Sequence, residues 1–316
     1  MPDFITIGES MVYLSPEQAG SLKHADRFKK GLAGAESNVA IGLSKLGCSV
    51  GWISKLGKDP FGEYIIKEIR GEGVDTSQVT TSTDHSTGLL VKELTPSGDT
   101  NVYYYRKDSA AHYLNFDDID LDYLKSAKVL FFSGITLALS ETNRRFARKL
   151  LKFCNENNIL VAFDPNIRLK LWSKEDARKE ILDILEYIDI FTPGFEEAQM
   201  LFNLDTPDEI VEFCLSKGIQ TVVLKSGESE TIVANKEEMH KVPIFKVKKV
   251  VDTVGAGDAF VAGFLRSLVR GESLAESARI GNAMGAMAVQ AFGDMEGLPT
   301  LEELDLFLSG GKKVDR

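Results

Sequence analysis

The run Asp252-Thr253-Val254-Gly255-Ala256-Gly257-Asp258-Ala259-Phe260 puts small residues directly before an acid, and an apolar helical stretch rich in Gly and Ala follows. Gly255, Ala256 and Gly257 leave their N–H groups free to converge on an anion at the start of that helix. Asp258 falls in the first turn, where it can take a proton from an attacking hydroxyl. An anion cradle beside a carboxylate base is what phosphoryl transfer to an alcohol calls for, because that reaction is mostly positioning and charge neutralisation. Two plainer readings compete. Asp258 can be an ordinary acid that stabilises a helix start. Alternatively the glycines can form a dinucleotide loop, as in a nicotinamide-dependent dehydrogenase. Gly255-x-Gly257-x-x-Phe260 lacks the third glycine for that, and lies far from the first strand–helix–strand unit where the fingerprint belongs.

Other small clusters carry candidate chemistry. In Gly31-Leu32-Ala33-Gly34-Ala35-Glu36-Ser37-Asn38, Gly34 permits close backbone approach and Asn38 can orient a ligand hydroxyl, or the polar residues simply cap a helix. Asp164-Pro165-Asn166-Ile167-Arg168 ends an apolar run, and Arg168 is a candidate cation for a phosphate or carboxylate, or half of a surface salt bridge. Gly194-Phe195-Glu196-Glu197 offers a carboxylate that can hold Mg²⁺ through its waters, or two ordinary first-turn acids. Lys225-Ser226-Gly227 is a lysine with exposed N–H groups that can meet nucleotide phosphates, or a plain strand-to-turn junction. Gly281-Asn282-Ala283-Met284-Gly285 reads first as tight helix packing and second as an adenine-facing surface. No Gly-x-x-x-x-Gly-Lys-Ser/Thr occurs, so a nucleotide site here is not a P-loop.

The elements that must position these residues alternate. Apolar runs at 4–9, 50–57, 129–135, 160–166, 188–194 and 221–227 are separated by helical patterns such as 36–46, 142–155 and 208–217. That rhythm predicts an α/β fold, a mostly parallel sheet covered on both faces, with ligands beyond the carboxyl ends of the strands. The rule selects Glu9, the 133–136 and 164–168 turns, and the 192–197 and 225–227 turns as cleft candidates. The segments 88–94 and 101–106 break the rhythm and flank Thr95-Pro96-Ser97-Gly98-Asp99-Thr100, a turn by composition. They predict a β-hairpin with Tyr104 and Arg106 on one face and Tyr103 and Tyr105 on the other.

The 316 residues carry a net charge of −10, which argues against nucleic acid and demands local cations for any anionic ligand. No apolar run is long enough for a membrane span, and the N-terminus enters a strand pattern without a leader. The 3 cysteines are far apart and the 4 histidines show no ligand spacing, as expected of reduced thiols in a cytoplasmic protein.

Together these residues resemble the ribokinase-like (pfkB) carbohydrate kinases, over essentially residues 3–310. The stretch 252–264 is similar to the family's C-terminal signature at every position; 31–47 is similar to its N-terminal one, with Ala33 where a second glycine is usual. The resemblance implies one domain over 1–316: a doubly wound sheet with a small β lid from about 11–34 and 86–108. It implies ATP as donor, Mg²⁺, and a monovalent-cation site. Asp258 matches the family's catalytic base, Gly255, Ala256 and Gly257 its anion hole, and Asp252 a residue near the substrate and the monovalent cation. Asn166, Lys225, Ser226, Gly227 and Asn282 fall on nucleotide positions. Glu197 falls in the metal-linked Asn-x-x-Glu motif, which here reads Gly194-x-x-Glu197, and Glu230 stands where the nucleotide loop often has glycine. Because a helix N-terminus favours the anion, Asp258 is expected to have no raised pKa.

Within the family, Tyr13 stands where fructokinases and ribokinases usually carry a hydroxyl-binding Asp. Tyr104-Tyr105-Arg106, Ser133-Gly134-Ile135-Thr136 and Asn166-x-Arg168 are similar to members that phosphorylate 2-keto-3-deoxygluconate. In those, Gly34, Ile135 and Arg168 line the pocket and the Tyr104/Arg106 pair grips an acidic sugar, while Leu90 stands where some have a lid tyrosine. A carboxylate substrate also accounts for two cleft arginines in an acidic chain better than a neutral hexose does. The expectation is ATP-dependent phosphorylation of a primary hydroxyl on 2-keto-3-deoxygluconate, with fructose or another sugar as alternative acceptor. A lid with an exposed second face implies a homo-oligomer.

Overall fold

Short runs of β-branched and aromatic residues alternate with amphipathic helices along a computed structural model that describes residues 1–95, 100–227 and 229–310. The first third contains β1 (Phe4–Ile7), β2 (Met11–Pro16), β3 (Phe28–Ala33), α1 (Ala35–Lys45), β4 (Val50–Gly57), α2 (Pro60–Gly71), β5 (Val79–Ser82), β6 (Leu89–Leu94) and β7 (Thr100–Tyr105). Then come α3 (Leu121–Lys125), β8 (Val129–Ser133), α4 (Gly134–Leu139), α5 (Glu141–Glu156), β9 (Leu160–Asp164), α6 (Lys174–Ile184), β10 (Ile190–Phe191) and α7 (Phe195–Phe202). The last third contains α8 (Pro207–Ser216), β11 (Thr221–Lys225), β12 (Glu230–Ala234), β13 (Met239–Pro243), α9 (Ala256–Val269), α10 (Leu274–Ala288) and α11 (Leu301–Leu308). None of the described helices is long and apolar enough to cross a membrane.

The large sheet has nine strands in the order β13-β12-β11-β10-β9-β8-β1-β4-β5, all running one way except β12, which is antiparallel to both its neighbours. The order reverses at β1, which pairs with β4 on one side and β8 on the other. A doubly wound sheet opens its ligand crevice at such a reversal, beyond the carboxyl ends of the strands. Alternation along each strand feeds two cores. Ile5, Ile7, Leu130 and Phe132 face α3 to α8, whereas Phe4, Val129 and Phe131 face α1, α2 and α9 to α11. Small residues let the helices of the second layer touch: a side chain at Gly42 would meet Ala262 at 2.7 Å, and one at Gly281 would meet the Phe260 ring at 2.8 Å. Close packing of α1, α9 and α10 is what holds the start of α9 over the crevice.

A second sheet of four strands, β3-β2-β6-β7, stands beside the crevice. The segments 88–94 and 101–106 pair antiparallel, as their patterns predict, and β2 adds parallel to β6. Residues 96–99 of the predicted turn lie outside the described residues. Register places Tyr13 opposite Leu90, Leu90 opposite Tyr104, and Lys92 opposite Val102, so these share one face, on which Leu90, Lys92, Val102 and Tyr104 reach the crevice. On the other face Tyr105 is 65% exposed and Tyr103 46%, with the Tyr103 hydroxyl donating to Glu93.

Candidate active site

Three segments converge on the start of α9. Gly255 precedes it with φ +78°, and a side chain there would lie 2.3 Å from the Asp294 carbonyl oxygen, so glycine is required for both conformation and space. No side chain caps α9, and the N–H groups of Gly257 and Asp258 have no acceptor among the described residues. Open first-turn donors at the positive end of a helix form an anion cradle. Gly34 lets the start of α1 close in, since a side chain there would meet the Glu9 carbonyl and Ser10 Oγ at 2.7 Å. That approach brings Asn38 Nδ2 to 2.8 Å from Asp258 Oδ2, to which it donates.

The protonation of Asp258 departs from the sequence expectation. Burial pushes its carboxyl up to about 7, and Asp164, Asp294 and Glu36 add like charge, against which the Asn38 amide is the counterweight. The helix N-terminus alone argues for an ordinary carboxylate. What it omits is the burial of the carboxyl, and after that three acids delivered by distant segments. A carboxyl with a pKa near neutrality is well matched to general-base work.

Beside the cradle, 3.7 Å from where a side chain on Gly257 would stand, Lys225 Nζ lies 2.5 Å from Asp164 Oδ2. Burial works against the Lys225 charge, but Asp164 and Glu197 outweigh it and hold the ammonium above its usual range. Glu197 accepts N–H bonds from Gly194 (2.8 Å) and Ile167 (2.7 Å), clamping the start of α7 to the turn after β9. Its role as a helix-start acid is therefore realised, and each oxygen keeps a lone pair for a water. Burial and Asp164 push the Glu197 carboxyl up. Asn166 sits in that turn with φ +38°. Arg168 is exposed at the cleft and makes no ion pair among the described residues.

On the small-sheet side, Arg106 is buried against Glu9, which also accepts the Ser109 hydroxyl at 2.5 Å. The Arg106 guanidinium lies 5.8 Å from the Tyr104 ring centre. It lines the cleft as a cation already paired with an acid. Tyr13 is buried and donates to Glu296 Oε1 at 2.8 Å, away from the cleft lining.

One cleft of about 950 Å³ gathers most of the predicted residues. Tyr104 and Arg106 come to it from the small sheet, Gly34 and Asn38 from the start of α1, Ile135, Asn166, Arg168, Glu197 and Lys225 from the strand ends of the large sheet, and Gly255, Gly257 and Asp258 from the start of α9. Ala256 and Asp252 flank the cradle without lining it; Asp252 accepts N–H bonds from Val254 at 3.1 Å and Gly293 at 3.4 Å. Ser226 and Gly227 lie outside the lining, and Ser226 hydrogen-bonds the Glu230 carbonyl. Asn282 is the clearest displacement. It is buried, accepts from Thr231 Oγ1 at 2.7 Å and donates to the Val242 and Pro243 carbonyls, so its amide serves helix-to-sheet packing.

Sequence reasoning also passed over residues that the structure brings in. Glu36, left as a possible cap, is wholly buried, takes the Ser133 N–H and hydroxyl, and is pushed up by burial. Lys92 and Asp294 line the cleft as an ion pair at 3.1 Å. The available signal for Lys92 was period two, which sets it on the same strand face as Leu90.

Residues 1–301 match the family described as pfkB family carbohydrate kinase. The chain is 40% identical over 314 residues to the 2-dehydro-3-deoxygluconokinase of Bacillus subtilis (strain 168), covering 99% of this chain and 97% of the relative. It is 32% identical over 317 residues to the 2-dehydro-3-deoxygalactonokinase of Haloferax volcanii, covering 99% of each. Among solved structures it is similar to an E. coli protein assigned as a ribokinase II in complex with ATP and Mg²⁺. The TM-score there is 0.90 at 26% identity, over 98% of this chain and all of the other.

Proposed function

The chain belongs to the pfkB family of carbohydrate kinases, and from that premise we propose that it transfers the terminal phosphoryl group of ATP to a primary hydroxyl of 2-keto-3-deoxygluconate. One observation carries the reading. A carboxyl lifted to about 7 stands beside uncapped helix-start donors, in a cleft that also holds an arginine with no ion pair among the described residues. Asp258, oriented by Asn38, takes the hydroxyl proton as the O–P bond forms and the bond to ADP breaks. The N–H groups of Gly257 and Asp258 meet the charge on the transferring group. Arg168 is the candidate partner of the sugar-acid carboxylate, because Arg106 already shares its charge with Glu9. The small sheet, with Tyr104, acts as the lid that keeps water from competing as acceptor. The relatives acting on two deoxy sugar acids support an acidic acceptor.

The donor set fits Mg²⁺ held mostly by phosphates and water. Among the described residues no group of three acids, histidines or cysteines forms a cage, and Glu197 has lone pairs left for waters only. Glu197 would hold the ion through those waters; when bound, Mg²⁺ neutralises charge across the β- and γ-phosphates. Lys225 and the cradle would meet the phosphates themselves. Asp252, which ties the start of the glycine turn to the loop after α10, is the candidate for a monovalent-cation site. The exposed tyrosine face of the small sheet is the candidate for a contact with a second copy. Free Cys154 and Cys214, whose buried thiols are pushed up to about 12, fit a cytoplasmic location.

The test is Asp258→Asn in a coupled ADP-release assay, with thermal stabilisation by ATP and Mg²⁺ as the binding control. Lost transfer with retained stabilisation supports the assignment. Transfer at the wild-type rate would overturn it.

A further inference from the structure

Lys92 is a cation that the chemistry above leaves unused. Its side chain is 5% exposed, and a buried ammonium is costly unless paired. Its partner, Asp294, lies 202 residues away in the loop after α10, so the 3.1 Å contact joins the small sheet to the main body. Two further contacts reinforce the same junction. The Lys92 ammonium sits 5.5 Å over the Phe292 ring, and the Tyr13 hydroxyl donates to Glu296, both in that same loop.

The loop does more than receive the small sheet. The Asp294 carbonyl fills the space where a side chain on Gly255 would stand, and Gly293 N–H donates to Asp252 at 3.4 Å. Both ends of the glycine turn that forms the anion cradle therefore rest on residues 293 and 294. A shift of the small sheet relative to the main body must move the loop, and with it the cradle, or break the Lys92–Asp294 pair. Buried ion pairs of this kind contribute little net stability, and their best-attested use is to fix register.

We propose that Lys92 is a positioning residue for phosphoryl transfer: its pair with Asp294 transmits the position of the sugar-facing sheet to the loop that shapes the anion cradle. This rests on the kinase reading of the site and adds to it a mechanical link between the acceptor side and the phosphate side. Asp294 also bears on Asp258, whose proton affinity it raises. Breaking the pair alters both the geometry and the charge around the base.

The test compares wild type, Lys92→Met and Lys92→Arg, with Asp258→Asn as control, in steady-state kinetics and in amide hydrogen exchange without ligands. Lys92→Met is expected to lower kcat by roughly 10²-fold, the cost of about 1 Å of misplacement, with little change in KM for ATP. Lys92→Arg, which keeps the charge, is expected to recover most of kcat. Exchange in 252–257 and 290–297 is expected to quicken in Lys92→Met while β8 and α5 stay as in wild type. Unchanged exchange in 252–257 overturns the proposal whatever the activity. So does a Lys92→Met kcat within about twofold of wild type, a factor worth well under 1 kcal/mol. If wild type itself transfers no phosphate, the kinase reading fails, and the exchange comparison still decides the mechanical link.

Discussion

Asp258 must be free of its proton to act as a base, and its carboxyl is pushed up to about 7. The acid limb of kcat/KM is therefore expected to rise through pH values near 7 and level off above. Asn38→Ala removes a donor that favours the anion, so the limb should move to higher pH; a limb that stays or moves lower contradicts the assignment. Stability runs the other way. A carboxyl whose folded pKa is raised adds stability that is fully present below the ordinary aspartate range and is lost as pH rises through about 7. Asp258→Asn should therefore raise the melting temperature at pH 8, by an amount equivalent to about 1–3 kcal/mol for this half-open site, and change little at pH 4. Matched melting curves at the two pH values check it. The identity of Asp258 was legible because a small-residue turn before an acid at a helix start is a local pattern. Its protonation was not, since the burial that raises it most, and the like charges of Asp164, Asp294 and Glu36, are supplied by other segments. Asn282 misled for the same reason: its partners Thr231, Val242 and Pro243 belong to strands that local spacing does not name.

Strand ends do the positioning at the next scale, and they were the most legible feature. Runs ending near residues 9, 133, 164 and 225 all deliver residues to one cleft, because a parallel sheet aligns its carboxyl ends. Their lengths were less legible: the apolar run 188–194 contains only the two-residue strand Ile190–Phe191 before the chain turns into α7. The small sheet was legible as strands, while its attachment through Lys92, Tyr13 and Glu9 was not, since long-range ion pairs leave no periodic trace. The glycine turn gives the sharpest element-level test. Gly255→Ala forces a side chain into a left-handed conformation against the Asp294 carbonyl. It should cost about 1–3 kcal/mol of stability and abolish transfer while leaving sugar binding measurable by calorimetry. An alanine variant that is as stable and as active as wild type would show that the cradle is not as tight as these distances state.

At the scale of the whole molecule, a chain of net charge −10 handles anions only because cations are concentrated in one cleft. Lys92, Lys225 and Arg106 are each tied to an acid, which leaves Arg168 and Lys170 without an acidic partner there among the described residues. The outer face of the small sheet, with Tyr103 and Tyr105 exposed, is expected to pair with a second copy. Gel filtration with light scattering should return a dimer or larger species that Tyr105→Glu shifts toward monomer; a wild-type monomer at micromolar concentration contradicts it. Substrate choice is also decided at this scale, since it depends on residues from both sheets at once. The most direct measurement is therefore ADP release with ATP and Mg²⁺ against 2-keto-3-deoxygluconate, fructose, ribose and gluconate, for wild type and Arg168→Met. Preference for the keto acid is expected, with Arg168→Met losing roughly 10–100-fold in kcat/KM on it, the worth of one charge-assisted hydrogen bond, and little on fructose. A wild-type preference for fructose or ribose that Arg168→Met leaves untouched would contradict the acidic-acceptor assignment while keeping the kinase.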